Sequence, residues 1–142
     1  MGVSKEETQV TWNTNASVTV TNATMVWSDA ITFDAGDLVG GLTVSADTAG
    51  TPSAGDLTEV WVAYSTGDVL GNGDDDFSTP EHSFYMGPIN NVAAETPGED
   101  PGILPVPIDV ASFKACKLGV KCPQAATHNV TVRARLHTRR FT

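Results

Sequence analysis

The sequence has 142 residues, a length that suits one domain and is enough to bury a hydrophobic core. Its formal net charge of -9 argues against electrostatic binding to nucleic acid. The charge is unevenly distributed, because every Asp and Glu lies between Glu6 and Asp109, whereas seven of the eight basic residues follow Asp109. This asymmetry predicts an acidic surface with one basic contact edge. The alternative is that the basic strands simply pair with acidic neighbours.

No segment of the sequence predicts a membrane span or a secretory signal. Residues 1–9 are polar and lack the apolar region of a signal peptide, and no apolar run approaches membrane-spanning length. The expected site of synthesis is therefore a reducing cytosol, in which Cys116 and Cys122 are free thiols. A local disulfide across residues 118–121 is the alternative. A zinc site is not expected, because the cysteines form no CxxC pair and no histidine cluster lies nearby.

The first half of the chain predicts short β-strands separated by polar turns. In residues 16–21 the pattern alternates strictly, so Val18 and Val20 share one face. The segment that starts at Leu57 is the most apolar, and both of its faces are largely apolar, which indicates a central strand. The strands expected in this half cover residues 10–12, 16–21, 25–33, 38–46 and 57–64.

The second half continues the β pattern and ends in a strand with a basic face. Pro105 and Pro107 fall on one face of their segment, which marks it as an edge strand. In the last segment, alternate apolar side chains face inward, while Arg133 and Arg135 face outward. The strands expected in this half cover residues 82–86, 103–110, 113–120 and 128–136.

About eight or nine short strands and no convincing helix predict an all-β protein. We expect an antiparallel β-sandwich, jelly-roll-like or immunoglobulin-like, because strands of this length with frequent turns are typical of such folds. The sandwich is expected to form a single domain over residues 10–137. A flexible N-terminal arm at residues 1–9 and a basic C-terminal tail at residues 138–142 are expected to flank it.

An acidic loop follows the most apolar strand and is the best candidate for a metal site. Asn72, Asp74 and Asp76 stand at alternate positions, as the first ligands of an EF-hand loop do. The match then fails, because Phe77 and Ser83 stand where the motif needs a glycine and a bidentate glutamate. We therefore expect a solvated loop, with no metal and no other cofactor. The alternative is an irregular calcium site with ligands from Asp68, Asn72, Asp74, Asp76 and Glu81.

No catalytic motif occurs in the sequence, so we do not expect an enzyme. GxSxG, HExxH and phosphate-binding glycine loops are all absent from it. Asp76 and Glu81 resemble a glycosidase pair in residue type alone, and acidic loop residues are more often solvating. His82, His128 and His137 lie far apart in the sequence, with no partner motif.

The aromatic residues are expected mainly in the core. Trp27, Trp61 and Phe84 are assigned there, because large aromatic side chains usually supply the core of a small β-sandwich. The alternative is a sugar-binding face, for which the candidate residues are Trp12, Trp27, Trp61, Tyr64, Phe84 and Tyr85.

The basic C-terminal residues are the best candidates for contact with a partner protein. Arginine suits such contacts because its planar guanidinium binds a carboxylate through two hydrogen bonds. Aromatic residues and arginine are also enriched at interface hot spots. The residues predicted to contact an acidic patch on a partner subunit are Arg133, Arg135, Arg139, Arg140 and Phe141. The alternative is a C-terminal tail with no partner.

Four segments within residues 28–136 carry a family resemblance: AYSTGDVLGNGDDDF, EHSFYMGPINNV, TPGEDPG and VPIDVASFKACKLGV. Together they resemble small β-rich decoration, or cement, proteins encoded among the head genes of tailed bacteriophages. The resemblance implies a non-enzymatic virion protein, made in the host cytoplasm, that binds the outer surface of the assembled capsid. Its partner would be the major capsid protein, whose neighbouring subunits it would bridge as a dimer or trimer. The rival interpretation is a carbohydrate-binding or receptor-binding β-sandwich domain of a phage tail.

Overall fold

The computed structural model of the protein is all-β, as the sequence predicts. The residues that it describes are 2–21, 23–50, 52, 55–65, 67, 77–78, 80, 82–91, 102–123 and 129–141. Ten strands and no helix occur among them. The strands are β1 (Val3–Gln9), β2 (Val18–Val20), β3 (Val26–Trp27), β4 (Ile31–Thr32), β5 (Asp37–Ala49), β6 (Leu57–Ser65), β7 (Phe84–Asn90), β8 (Gly102–Ile108), β9 (Ala115–Lys121) and β10 (Asn129–Phe141).

The strands form two antiparallel sheets that pack into a sandwich. In the first sheet the order is β1-β10-β5-β8, and β2 also pairs with β10. In the second sheet the order is β3-β9-β6-β7, and β4 also pairs with β9. When β1 with β2 and β3 with β4 are each counted as one interrupted strand, this is the strand order of a jelly roll. The predicted fold class is therefore confirmed.

The core lies between the sheets and is built from alternate residues of each strand. Successive side chains of a strand point to opposite faces, so one face of each sheet is apolar and meets the other sheet. Leu42 and Val132 contribute from the first sheet, and Val62 and Leu118 from the second, each 2% exposed or less. Burial of one such side chain stabilises the fold by roughly 1.5–3 kcal/mol.

Strands replace the flexible arm and the tail that the sequence predicts at the two ends. β1 pairs with β10 along its whole length, from Val3 opposite Phe141 to Gln9 opposite Arg135. Residues 138–141 also belong to β10 and are held between two neighbours over most of their length. Main-chain hydrogen bonds to β10 hold β1 at the sheet edge, where a strand needs no apolar face.

Both cysteines are buried and free. Residues 116–121 are extended in β9 instead of turning, so the six residue steps from Cys116 to Cys122 separate the two α-carbons by roughly 20 Å. A disulfide needs α-carbons within about 7 Å, which rules out the alternative pairing. Burial raises the pKa of the Cys116 thiol to about 12, which keeps this group protonated and unreactive at neutral pH.

A strained turn separates β1 from β2. Trp12 and Asn15 exchange both main-chain hydrogen bonds, at 2.8 and 2.9 Å, around Asn13 and Thr14, whose φ angles are 47° and 69°. Asp29 holds this turn, because its carboxylate accepts hydrogen bonds from the Thr11 hydroxyl and from the amides of Asn13 and Thr14. The same bonds, that of Thr11 first, lower the pKa of Asp29.

We expect the substitution Thr14→Gly to stabilise the protein. A β-branched residue is disfavoured at positive φ, and glycine after asparagine is the preferred pair in a tight hairpin turn. After allowance for the greater freedom of glycine in the unfolded chain, the free energy of unfolding should rise by roughly 0.5–1 kcal/mol. Urea denaturation measures the change. Thr19→Gly, on an exposed strand position, should lower stability, and a loss of the same size for Thr14→Gly would refute the expectation.

Candidate partner-binding face

The row of basic side chains on β10 lies on the outer face of the first sheet. Arg133, Arg135, His137 and Arg139 occupy alternate positions of this strand, and the residues between them are buried. The three arginines are exposed and His137 is half-buried. The inward and outward alternation that the sequence predicts for this strand is therefore confirmed, and the strand contributes side chains to both the core and the surface.

Short side chains on the neighbouring strand give this row its shape. Gly41, Thr43 and Ser45 of β5 lie opposite His137, Arg135 and Arg133, respectively. Long side chains beside short ones leave two adjacent shallow depressions, of about 240 and 210 Å³. Guanidinium and hydroxyl groups line the larger depression, and both can donate hydrogen bonds to a carboxylate.

Glu7 on β1 neutralises part of the basic row. Its carboxylate lies 2.9 Å from Lys5 Nζ, 3.5 Å from an Arg135 nitrogen and 3.4 Å from His137 Nδ1. These neighbours, above all the hydrogen bond from Lys5, lower the pKa of Glu7. An alternative from the sequence is that basic strand residues simply pair with acidic neighbours. For Arg135 this alternative therefore applies. Arg133 and Arg139 make no ion pair with any residue that the structure describes.

Arg140 lies apart from the row, although the sequence analysis groups it there. A bulge in β5 places Arg139 opposite Val39 and Arg140 opposite Asp37. Arg140 forms an ion pair with Asp34, and its Nε lies 3.3 Å from Asp37 Oδ1. The hydrogen bond to Asp34 and the charges of both aspartates raise the pKa of Arg140. The charge of Arg140 is thus balanced by carboxylates of the same chain, one of which belongs to the almost fully buried Asp37 side chain.

An apolar cluster adjoins the basic row at the C-terminal end of β10. Val3 lies directly opposite Phe141, and Val39 lies directly opposite Arg139. The three apolar side chains are 56%, 66% and 56% exposed, in the order Val3, Val39 and Phe141. We define the basic face as this cluster together with Arg133, Arg135, His137 and Arg139. Sequence reasoning missed Val3 and Val39 because their position beside Phe141 depends on the pairing of distant strands.

The second sheet carries a row of aromatic side chains on its own outer face. Trp27 lies opposite Gly119, Gly119 opposite Trp61, and Trp61 opposite Tyr85, so the row crosses four strands. A Cβ on Gly119 would lie 2.7 Å from a ring carbon of Trp27, so the Trp27 indole can occupy this position only because residue 119 is glycine. The Trp61 and Tyr85 rings meet edge to face at 5.1 Å.

The structure corrects the core assignment of three aromatic residues. Trp27 and Trp61 are half-buried on the outer face, outside the core cluster, and Phe84 is 60% exposed. Because Val60 and Val62 point inward, alternation turns Trp61 outward. The tryptophan in the core is Trp12, which is 4% exposed.

The acidic loop lies outside the described residues. This applies to Asp68, Asn72, Asp74, Asp76 and Glu81, and also to His128, so the solvated loop and its calcium alternative stay predictions. Within the described part of the chain, no group of three or more His, Cys, Asp or Glu residues is placed to hold a metal ion. Nor does that part contain a helix that is long and apolar enough to cross a membrane.

Comparison with known proteins shows a shared fold at low sequence identity. No protein-family model and no curated protein matches the sequence. A chain in the structure of infectious bursal disease virus, Gx strain, superposes with a TM-score of 0.52 and 10% identity, over 97% of this chain and 36% of the viral chain. This protein therefore spans about a third of the length of that viral chain. At such identity the likeness establishes the fold alone.

Two further structures are less similar. The crystal structure of FLHE has a TM-score of 0.42 and 7% identity, over 99% of this chain and 97% of the other. A chain of the cyanophage Pam1 capsid asymmetric unit has a TM-score of 0.39 and 15% identity, over 96% of this chain and 86% of the other.

Arg139→Ala and Arg140→Ala should separate a surface role from a structural one. Each substitution removes one positive charge, and the two positions are adjacent. Arg140→Ala should lower the melting temperature by a few degrees, because the buried Asp37 carboxylate loses its charged neighbour. Arg139→Ala should leave stability within about 0.5 kcal/mol, as exposed substitutions without partners usually do. Equal melting temperatures for the two variants would contradict the assignment.

Proposed function

We propose that this protein is a structural virion protein that decorates an assembled bacteriophage capsid. In this role it binds the outer surface of the shell and bridges neighbouring capsid subunits, so that its partner is the major capsid protein. The observation that carries the proposal is the basic face, an exposed row of arginines and apolar side chains on a protein of net charge -9. The role requires neither catalysis nor a cofactor.

The charge distribution supports an oriented encounter with an acidic shell. An acidic surface repels most of this protein and attracts the row of arginines on the basic face, which steers that face toward contact. Arg133 and Arg139 have no ion pair to break among the described residues, so their guanidinium groups are free to bind carboxylates of the partner. Glu7 already engages Arg135, which is therefore expected to contribute less.

The length of the basic face supports contact with more than one subunit. From Arg133 to Phe141 the strand spans roughly 27 Å. Exposed apolar side chains stand at both ends: Val3, Val39 and Phe141 at one, and Ile103, which is 59% exposed and opposite Ser45, at the other. Two apolar anchors separated by a basic row suit two neighbouring surfaces, since hot spots combine buried apolar groups with arginine.

The jelly-roll fold is compatible with this role. Viral capsid and lectin domains use double-sheet jelly rolls, and the infectious bursal disease virus chain shares the fold over 97% of this chain. One fold hosts many functions, so this likeness supports a virion protein in general and does not distinguish the decoration role from other virion roles. That finer assignment depends on the basic face.

The test is binding of the purified protein to undecorated capsids. The double variant Arg133→Glu/Arg139→Glu should bind at least about tenfold more weakly, because two contacts become repulsive. Lys117→Glu, with the same kind of charge change on the other sheet, is the matched control and should bind like the wild type. Wild-type affinity should also fall with added salt. Unchanged binding of the double variant would contradict the proposal.

Copy number in the virion tests the same proposal without any variant. A decoration protein should be present in numbers comparable to the capsid protein, and quantitative mass spectrometry of purified virions measures the ratio. A few copies per virion would instead favour a tail protein.

The second candidate function, a carbohydrate-binding or receptor-binding tail domain, is favoured by the aromatic row. Aromatic rings offer apolar faces for the apolar side of a sugar ring. Polar groups stand beside the row, because Lys121 pairs with Glu59 at 3.5 Å and its Nζ lies 5.9 Å from the Trp61 ring centroid.

In this second case a host-surface polysaccharide should raise the melting temperature of the wild type by linkage. Tyr85→Ala should abolish the rise, since Tyr85 is the most exposed ring of the row at 47%. Phe84→Ala, on the adjacent exposed position but outside the row, serves as the control and should keep the rise. An unchanged melting temperature with polysaccharide would count against this candidate.

A further inference from the structure

The edges of the two sheets differ in how well they are protected. An edge strand offers unpaired main-chain groups to another chain, and proteins protect such edges with prolines, bulges or short strands. β8 contains Pro105 and Pro107, β7 contains Pro88 and an irregular register near Gly87, and β3 and β4 have two residues each. β1 has seven residues without proline, glycine or a register shift. It is therefore the longest regular edge in the described part of the chain.

The pairing of β1 with β10 determines which of its main-chain groups face the free edge. The Val10 amide donates to the Ala134 carbonyl at 3.0 Å, so these two residues form a hydrogen-bonded pair. Such pairs alternate along an antiparallel ladder, which assigns the bonds with β10 to the even-numbered residues of β1. The residues whose amides and carbonyls point to the free edge are then Val3, Lys5, Glu7 and Gln9.

The charges at these positions are self-complementary. If a second copy pairs antiparallel with the two-fold axis at Glu6, Lys5 of each copy lies opposite Glu7 of the other. Centring on Lys5 would instead place two lysines opposite each other, and centring on Glu7 would oppose two glutamates. Opposite charges directly across a strand pair are favourable and like charges are unfavourable. We propose that two copies of this protein pair through β1 in the Glu6-centred register.

The charged character of β1 fits this partner and disfavours others. Charged side chains protect an edge from a random strand, whereas a partner with the matching pattern is accepted. The close approach of the two Glu6 residues is the unfavourable element of this register. Ser4 donates a hydrogen bond to Glu6 at 3.2 Å, and the guanidinium-bearing Arg140 is paired with Ser4. The charge of Glu6 is one of those that raise the pKa of Arg140, but this guanidinium is also paired with Asp34 and Asp37, so it offsets only part of the repulsion between the two Glu6 residues.

A dimer of this kind joins two first sheets into one continuous sheet. The two basic faces then lie on the same side, because paired residues of antiparallel strands share a face. Two linked faces bind a repetitive surface with higher avidity than one face does. The dimer itself does not depend on the proposed capsid role, and its test uses the isolated protein, so the two proposals can fail separately.

Charge exchange between positions 5 and 7 tests the register. Lys5→Glu and Glu7→Lys should each raise the dimer dissociation constant by about tenfold or more, because two attractive cross-strand pairs become repulsive. An equimolar mixture of the two variants should form a heterodimer, since every pair across the interface is then attractive. Lys117→Glu, on the other sheet, should dimerise like the wild type. Sedimentation equilibrium over a concentration series measures all four, and circular dichroism checks that each variant is folded.

Each outcome decides the proposal. A wild-type dimer, weakened single variants and a restored heterodimer are the expected result. The proposal is overturned by a wild-type monomer at all concentrations, by single variants that dimerise like the wild type, or by a mixture that stays monomeric.

Discussion

The two-residue period of β10 is the constraint on which the rest of the molecule depends. This strand pairs with β5 on one side and with β1 and β2 on the other, and its alternate side chains serve two purposes. Val132, Ala134 and Leu136 fill the core, and the residues between them form the basic row. A slip of one residue would place arginines in the core and apolar side chains in solvent. The register that stabilises the fold is therefore the same register that presents the basic face.

Long-range ion pairs help to hold that register at the end of the strand. Arg140 reaches Asp34 and Asp37 across the bulge in β5, while its neighbour Arg139 stays on the outer face. Two adjacent arginines of identical chemistry thus have different roles, one within the fold and one on its surface. The difference arises because the bulge and the alternation of β10 turn their side chains in opposite directions.

Sequence patterns predicted the features that depend on local alternation. The outward arginines and the inward apolar residues of β10 followed from the two-residue period, and so did the all-β class. β1 was missed in the sequence analysis because this polar segment has no apolar face. It forms a strand only because its main chain can form hydrogen bonds with β10. The placement of Trp61 failed for the opposite reason, since both faces of β6 look apolar and no local pattern tells which one the other sheet covers. The bulge in β5 that turns Arg140 away from the basic row could not be predicted from the residues around Arg140 either. The aspartates that pair with Arg140 lie about a hundred residues earlier in the chain.

The pairing of Val3 with Phe141 also places the two ends of the described chain side by side, at the apolar end of the basic face. A domain or tag fused to either end would emerge at that surface and compete with any partner there. Such a fusion would also add bulk where β1 offers its free edge. Cargo intended for display would be better inserted on the opposite side of the sandwich. Joining the adjacent ends through a short linker and opening the chain at a distant loop would free this surface, since circular permutation is tolerated where ends lie close together.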